Sequence, residues 1–156
     1  MNVSIYSRKE AKSLIQKGFP VNTAVICFYS PKKTAWAEDR RLNYADHCTR
    51  VFYVPIPDID REVLKSWGYT ESSFFSQAEE LAAYICKAVE EGLDIFCQCD
   101  YGQSRSAGCA AAILQYFEGR GIDIFADYRY YPNQLVYNKI FNALQKCGTA
   151  AKEKRT

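Results

Sequence analysis

Cys99, Gly102, Arg105 and Ser106 fall within a single stretch, Cys99-Asp100-Tyr101-Gly102-Gln103-Ser104-Arg105-Ser106. A thiolate is a strong nucleophile, and a guanidinium is a planar fork that can bind two oxygens of a tetrahedral oxyanion at once. The stretch follows an apolar run, Leu93-Asp94-Ile95-Phe96-Cys97-Gln98, and precedes a small-residue helical pattern from Ala107 to Leu114. Where a strand turns sharply into a helix, the loop amides and the helix N-terminus together form an anion site. Gly102 supplies the backbone freedom such a turn needs. A thiol at the base of this cup is favoured as thiolate. The residues therefore suit attack of Cys99 on the phosphorus of a bound monoester, with a phosphocysteine as intermediate. Arg105 and the loop amides of Asp100, Tyr101, Gly102, Gln103 and Ser104 would hold the equatorial oxygens, and Ser106 would hydrogen-bond the departing sulfur. Spacing alone also fits a buried structural cysteine. The strand–loop–helix setting is what favours the chemical reading.

With Cys99, Gly102, Arg105, Ser106, Ala107 and Gly108 in this order, the chain resembles the cysteine-dependent protein tyrosine phosphatase superfamily, and within it the compact dual-specificity-like branch. The resemblance is strong over about Val51 to Leu144. The family usually carries a histidine before the cysteine, which helps to hold the loop and tune the thiol; this chain has Gln98 there. The resemblance also implies a general acid on a loop after an earlier strand, to protonate the leaving oxygen and later activate water. Val54-Pro55-Ile56-Pro57-Asp58 is similar to the family's acid-loop pattern, which makes Asp58 the first candidate and Asp60 the reserve. Either aspartate could instead cap a helix starting near Arg61. The segment Leu64 to Glu71 lengthens the interval to Cys99 and is expected as a short lid or a surface insertion.

Phosphoinositide phosphatases of this superfamily carry lysines in the loop. Here Arg105 is the loop's only cation and Asp100 is acidic, which favours a single phosphate over a crowded headgroup. Phosphotyrosine on a protein or peptide is the expected substrate, with phosphoserine and phosphothreonine admitted, and no metal or cofactor is called for. Tyr101 and the run Tyr128 to Tyr131 are candidates to line a cleft, or equally to pack in the core or on the surface. Two other readings stand beside this one: a catalytically silent phosphopeptide-binding module on the same scaffold, and a rhodanese-type sulfurtransferase.

The chain of 156 residues fits a single domain over 1–148 with a solvated tail over 149–156. A hydrophobic fraction of 48%, a charged fraction of 24% and a net charge of +2 describe an ordinary globule with no broad case for nucleic-acid binding. No apolar run approaches the ~18–20 residues that span a bilayer, and the N-terminus lacks the core of a secretion signal, so a cytoplasmic location is expected; the expected state is a monomer. The seven cysteines are odd in number and irregularly spaced, which favours reduced thiols over a disulfide framework. Cys97 and Cys99 are one residue apart and share a strand face, so Cys97, or Cys109, is a candidate to trap an oxidised Cys99 as a disulfide. The single histidine, His47, is expected at the surface or in a cap.

These groups must be positioned by the elements around them. Strands are expected over 3–6, 23–29, 51–56 and the run before Cys99. Ser7 to Glu10 reads as a capping box opening a helix that Gly18 stops. The segment from Ser30 to Arg41 reads as a polar loop. Further helices are expected over 73–91, after Arg105, and from Pro132 to about Lys146, with 123–131 irregular. Such alternation implies an α/β fold: a central, mainly parallel sheet with helices on both faces and the ligand at the carboxyl ends of its strands.

Overall fold

The computed structural model describes residues 1–155. Its sheet has four strands, β1 (Val3–Ser7), β2 (Thr23–Tyr29), β3 (Arg50–Pro55) and β4 (Asp94–Cys99), in the order β1-β4-β2-β3. Every pairing is parallel, with Ile5 opposite Cys97, Ile26 opposite Cys97 and Ile26 opposite Phe52. β4 is thus a central strand, and the loop that leaves its carboxyl end sits between the ends of β1 and β2.

Strands buried on both faces read as continuous apolar runs, and β2 and β4 do so because each face has its own cover. Ile26, Phe28, Ile95 and Cys97 meet Leu81, Ile85, Ile113, Ile140 and Leu144 from α2 (Ala78–Glu90), α3 (Arg105–Glu118) and α5 (Gln134–Arg155). Their alternating neighbours Val25, Cys27 and Phe96 meet Ala11 of α1 (Arg8–Lys17) together with Leu42 and Tyr44. Helices lie on both faces, as expected, although on the second face much of the cover is the irregular segment between β2 and β3.

The capping box at Ser7 is complete: its hydroxyl accepts from the Glu10 amide and the Glu10 carboxylate accepts from the Ser7 amide. The second helix differs from expectation. It starts at Ala78 rather than near Ser73, because Thr70 and Ser73 bond each other's amides through their side chains and Phe75 adopts φ +54°. Both features divert the backbone from the helical path. The insertion before it forms two short 3₁₀ turns, Arg61–Val63 and Lys65–Trp67, anchored by buried Leu64 and Phe74. Lys33, from the segment after β2, lies over the Trp67 ring at 5.8 Å. The stretch expected to be irregular begins with a one-turn helix, α4 (Ile122–Phe125). The last helix passes Lys146 and runs to Arg155, so the expected tail is helical although exposed; Thr156 lies outside the described residues. Gly148 lies within it without a left-handed turn, and the Tyr116 hydroxyl occupies the space a β-carbon there would need. Among the described residues, no helix is long and apolar enough to cross a membrane.

Candidate active site

The loop 100–104 joins β4 directly to α3. Its entry is pinned by the Arg8 amide, which donates to the Asp100 carbonyl at 3.0 Å. Gly102 adopts φ +66°, and a β-carbon there would lie 2.6 Å from the Ser7 nitrogen, so both conformation and space require glycine. The exit is pinned from α5's side: the Tyr131 amide donates to Gln103 O at 2.8 Å and the Asn133 amide to Ser104 O at 3.0 Å.

Cys99 ends β4 and is 2% exposed, with its Sγ 3.0 Å from Ser106 Oγ on the first turn of α3. The Arg105 guanidinium is 3% exposed. Its Nη1 donates to the Ile56 carbonyl at 2.7 Å and to Ser30 Oγ at 3.1 Å, and its Nη2 donates to Asp100 Oδ2 at 3.1 Å. Its Nε is buried and has no hydrogen-bond partner among the described residues. A buried donor left unpaired costs about 1–3 kcal/mol, so this nitrogen marks where an acceptor is wanted.

Asp58 follows β3 and is exposed at the lip of the loop. Its Oδ1 accepts from Ser104 Oγ at 2.7 Å and from Asn133 Nδ2 at 3.0 Å. The Ser104 hydroxyl makes no cap for α3, although Ser104 is that helix's N-cap residue. Asp60 takes the capping role: its carboxylate accepts from the Glu62 amide at 3.1 Å and closes the first 3₁₀ turn. The two aspartates are thereby separated, and among the described residues it is Asp58 that bonds to the loop 100–104. A cavity of about 650 Å³ opens beside them, lined by Asp58, Ser104, Tyr131 and Asn133 among others.

Asn133 is the main functional candidate that sequence reasoning passed over. Its Oδ1 accepts from the Val136 amide and caps α5, while its Nδ2 reaches Asp58 and the Ile59 carbonyl, so it ties the acid loop to the helix. The signal was local, a Pro132-Asn133 helix start, but the sequence does not say what else the capping side chain touches. Three further contacts come from the segment after β2: Ser30 and Arg40 on the Asp100–Arg105 pair, and Tyr44 behind the strand. Nothing in their spacing foretells them. Of the expected ligand-binding residues, Tyr101 and Gln103 present exposed side chains, so their share of the cup is backbone. His47 is exposed, as expected.

Gln98 is 1% exposed and fully engaged. Its Nε2 donates to the Cys99 carbonyl at 3.0 Å, and its Oε1 accepts from the Tyr44 hydroxyl at 2.7 Å and the Cys27 thiol at 3.0 Å. Burial pushes the Cys27 thiol up to about 12 and lifts the Tyr44 phenol well above its usual range, so both remain donors to that oxygen. The amide thus braces the base of the loop. Behind it, Cys97 and Cys109 are both buried with their sulfurs 3.7 Å apart. Burial, then the neighbouring Cys97, raises the Cys109 thiol far above its usual value.

No protein-family model and no curated protein sequence matches this chain. Solved structures do resemble it. Human DUSP28 shares 17% identity over 95% of this chain and 94% of its own, with a TM-score of 0.55. A mouse dual-specificity phosphatase complexed with zinc tungstate shares 18% over 96% and 86%, with a TM-score of 0.54. Tk-PTP in its active form shares 16% over 94% and 92%, also with a TM-score of 0.54. At these identities the likeness speaks to the fold: the chain has the fold of cysteine-dependent dual-specificity and tyrosine phosphatases.

Proposed function

We propose that this chain is a cysteine-dependent phosphatase that hydrolyses phosphotyrosine monoesters on proteins or peptides, with phosphoserine and phosphothreonine as further substrates. The single observation that carries the reading is the buried, unpartnered Arg105 Nε in the loop whose base is Cys99. A phosphoryl oxygen would satisfy that donor while the helix N-terminus and loop amides take the remaining charge.

In this scheme Cys99 Sγ attacks phosphorus, and the bond from phosphorus to the ester oxygen breaks. Asp58 delivers its proton to that oxygen. The resulting carboxylate then takes a proton from water as the water attacks the phosphocysteine, and inorganic phosphate leaves. Ser106, 3.0 Å from the sulfur, donates to it as negative charge returns. Within the loop, Arg105 remains the only cation, and Asp100 beside it keeps the fit to one phosphate. The enzyme is taken to work as a cytoplasmic monomer.

The test is turnover of a chromogenic aryl phosphate and of a phosphotyrosine peptide by the wild type and by Cys99→Ser. Hydrolysis by the wild type and its abolition in the variant are expected. Peptide binding with no turnover in the wild type would identify a binding module instead, and formation of thiocyanate from thiosulfate would identify a sulfurtransferase.

A further inference from the structure

An acidic side chain directly after the nucleophile sits poorly with a cup built for a dianion, yet Asp100 is there. Its contacts resolve the conflict. Oδ2 accepts from Arg105 Nη2 at 3.1 Å, with Ser30 Oγ at 3.5 Å, and Oδ1 accepts from Arg40 Nε at 3.0 Å. Its side chain is 11% exposed, against 46% for Arg40. Two guanidiniums therefore face one carboxylate, and the trio retains one positive charge. We infer that Asp100 is a positioning residue for Arg105, itself held in place by Arg40, so that the oxyanion-binding guanidinium is oriented by a carboxylate from its own loop.

The inference rests on the phosphatase reading and deepens it. Burial pushes the Asp100 carboxyl up, but the hydrogen bond from Arg40 and the charge of Arg105 outweigh it and leave the group below its usual range. With Nη1 on Ser30 and Ile56 and Nη2 on Asp100, the Nε edge is the part of Arg105 left for a ligand. A guanidinium fixed this way needs no reorientation as charge develops on the phosphoryl oxygens, which is where preorganised donors act most strongly. The arrangement also explains the segment between β2 and β3. It supplies Ser30 from one end and Arg40 from further along, and both meet at Asp100.

The experiment compares the full chain with Asp100→Ala, Asp100→Asn and Arg40→Ala. It measures kcat and KM on an aryl phosphate, and inhibition by orthovanadate and by inorganic phosphate. Asp100→Ala is expected to weaken vanadate, which mimics the transition state, by about ten-fold or more, with a smaller change for phosphate and the larger share of the loss in kcat. Asp100→Asn, which keeps an acceptor without the charge, falls between. Arg40→Ala, which alters a half-exposed side chain and spares the core, shifts vanadate in the same direction by less. Vanadate binding as tight as wild type, or tighter, in the Asp100 variants would overturn the inference, since a carboxylate that only repels the ligand gives that sign. A wild type that neither hydrolyses the ester nor binds vanadate brings down the phosphatase reading and this inference together. An active wild type with indifferent variants brings down this inference alone.

Discussion

Asp58 and Asp60 are chemically identical and two residues apart, and what separates them is what each carboxylate holds. Asp60 closes a 3₁₀ turn, whereas Asp58 meets Ser104 and Asn133 through one oxygen. If Asp58 is the general acid, Asp58→Asn should depend on the leaving group. Esters of poorly acidic alcohols and phenol should slow by roughly 10²–10⁴-fold, while a highly activated aryl ester, which needs little protonation, slows far less. Equal slowing across a leaving-group series, or an equivalent pattern in Asp60→Asn, would move the role elsewhere. Asn133→Ala should give a weaker version of the same selective loss, because Asp58 then keeps only its bond to Ser104. At this scale the sequence was sufficient for residue types but not for partners. Cys99, Arg105 and Ser106 were legible because their geometry is local to one turn. The order of the two aspartates, Asp58 first and Asp60 in reserve, came from the acid-loop pattern, whereas the contacts of Asp58 to Ser104 and Asn133, 46 and 75 residues away, have no local signal.

Between elements, the decisive contact is the approach of α3 to the start of α5. A β-carbon on Gly108 would stand 2.5 Å from the Asn133 carbonyl oxygen, a backbone atom that cannot swing aside. Gly108→Ala must therefore separate the two segments. The expected cost is about 1–3 kcal/mol in urea unfolding, and Asn133 would shift away from Asp58, so kcat should fall with it. An alanine variant of wild-type stability and activity would show that this approach carries neither. The strands, the capping box and the Gly18 stop were readable because each is written in a few adjacent residues. The start of α2 was misread because apolar periodicity continues through Phe75 while its backbone turns left-handed. The end of α5 was expected near Lys146, but the helix continues to Arg155 because Gly148 does not take the left-handed conformation that would end it. The segment between β2 and β3 gave no periodic signal, so its contacts through Ser30 and Arg40 to the Asp100–Arg105 pair, and through Tyr44 to Gln98, were invisible before the fold.

Across the whole molecule, the sheet divides its burden between two faces. One carries the helical core behind Cys99, and the other carries a polar network of Cys27, Tyr44 and Gln98 sealed beneath α1 and Leu42. That sealed network links stability to alkaline pH. Cys27 moves from 9.0 to about 12 on folding, chiefly by burial. A group raised in the folded state contributes stability that is fully present below its unfolded value and is lost as pH rises through its folded value. Between about pH 9 and 12 the unfolded thiol is ionised while the folded one keeps its proton, so unfolding free energy should fall by about 1.4 kcal/mol per pH unit from this thiol alone. Tyr44, raised in the same direction, extends the decline to still higher pH. Cys27→Val keeps the apolar volume and leaves Gln98 its bond from Tyr44, so its urea-derived stability should decline less steeply over the same interval. Parallel slopes for variant and wild type would show that the Cys27 thiol is not sealed when the chain is folded.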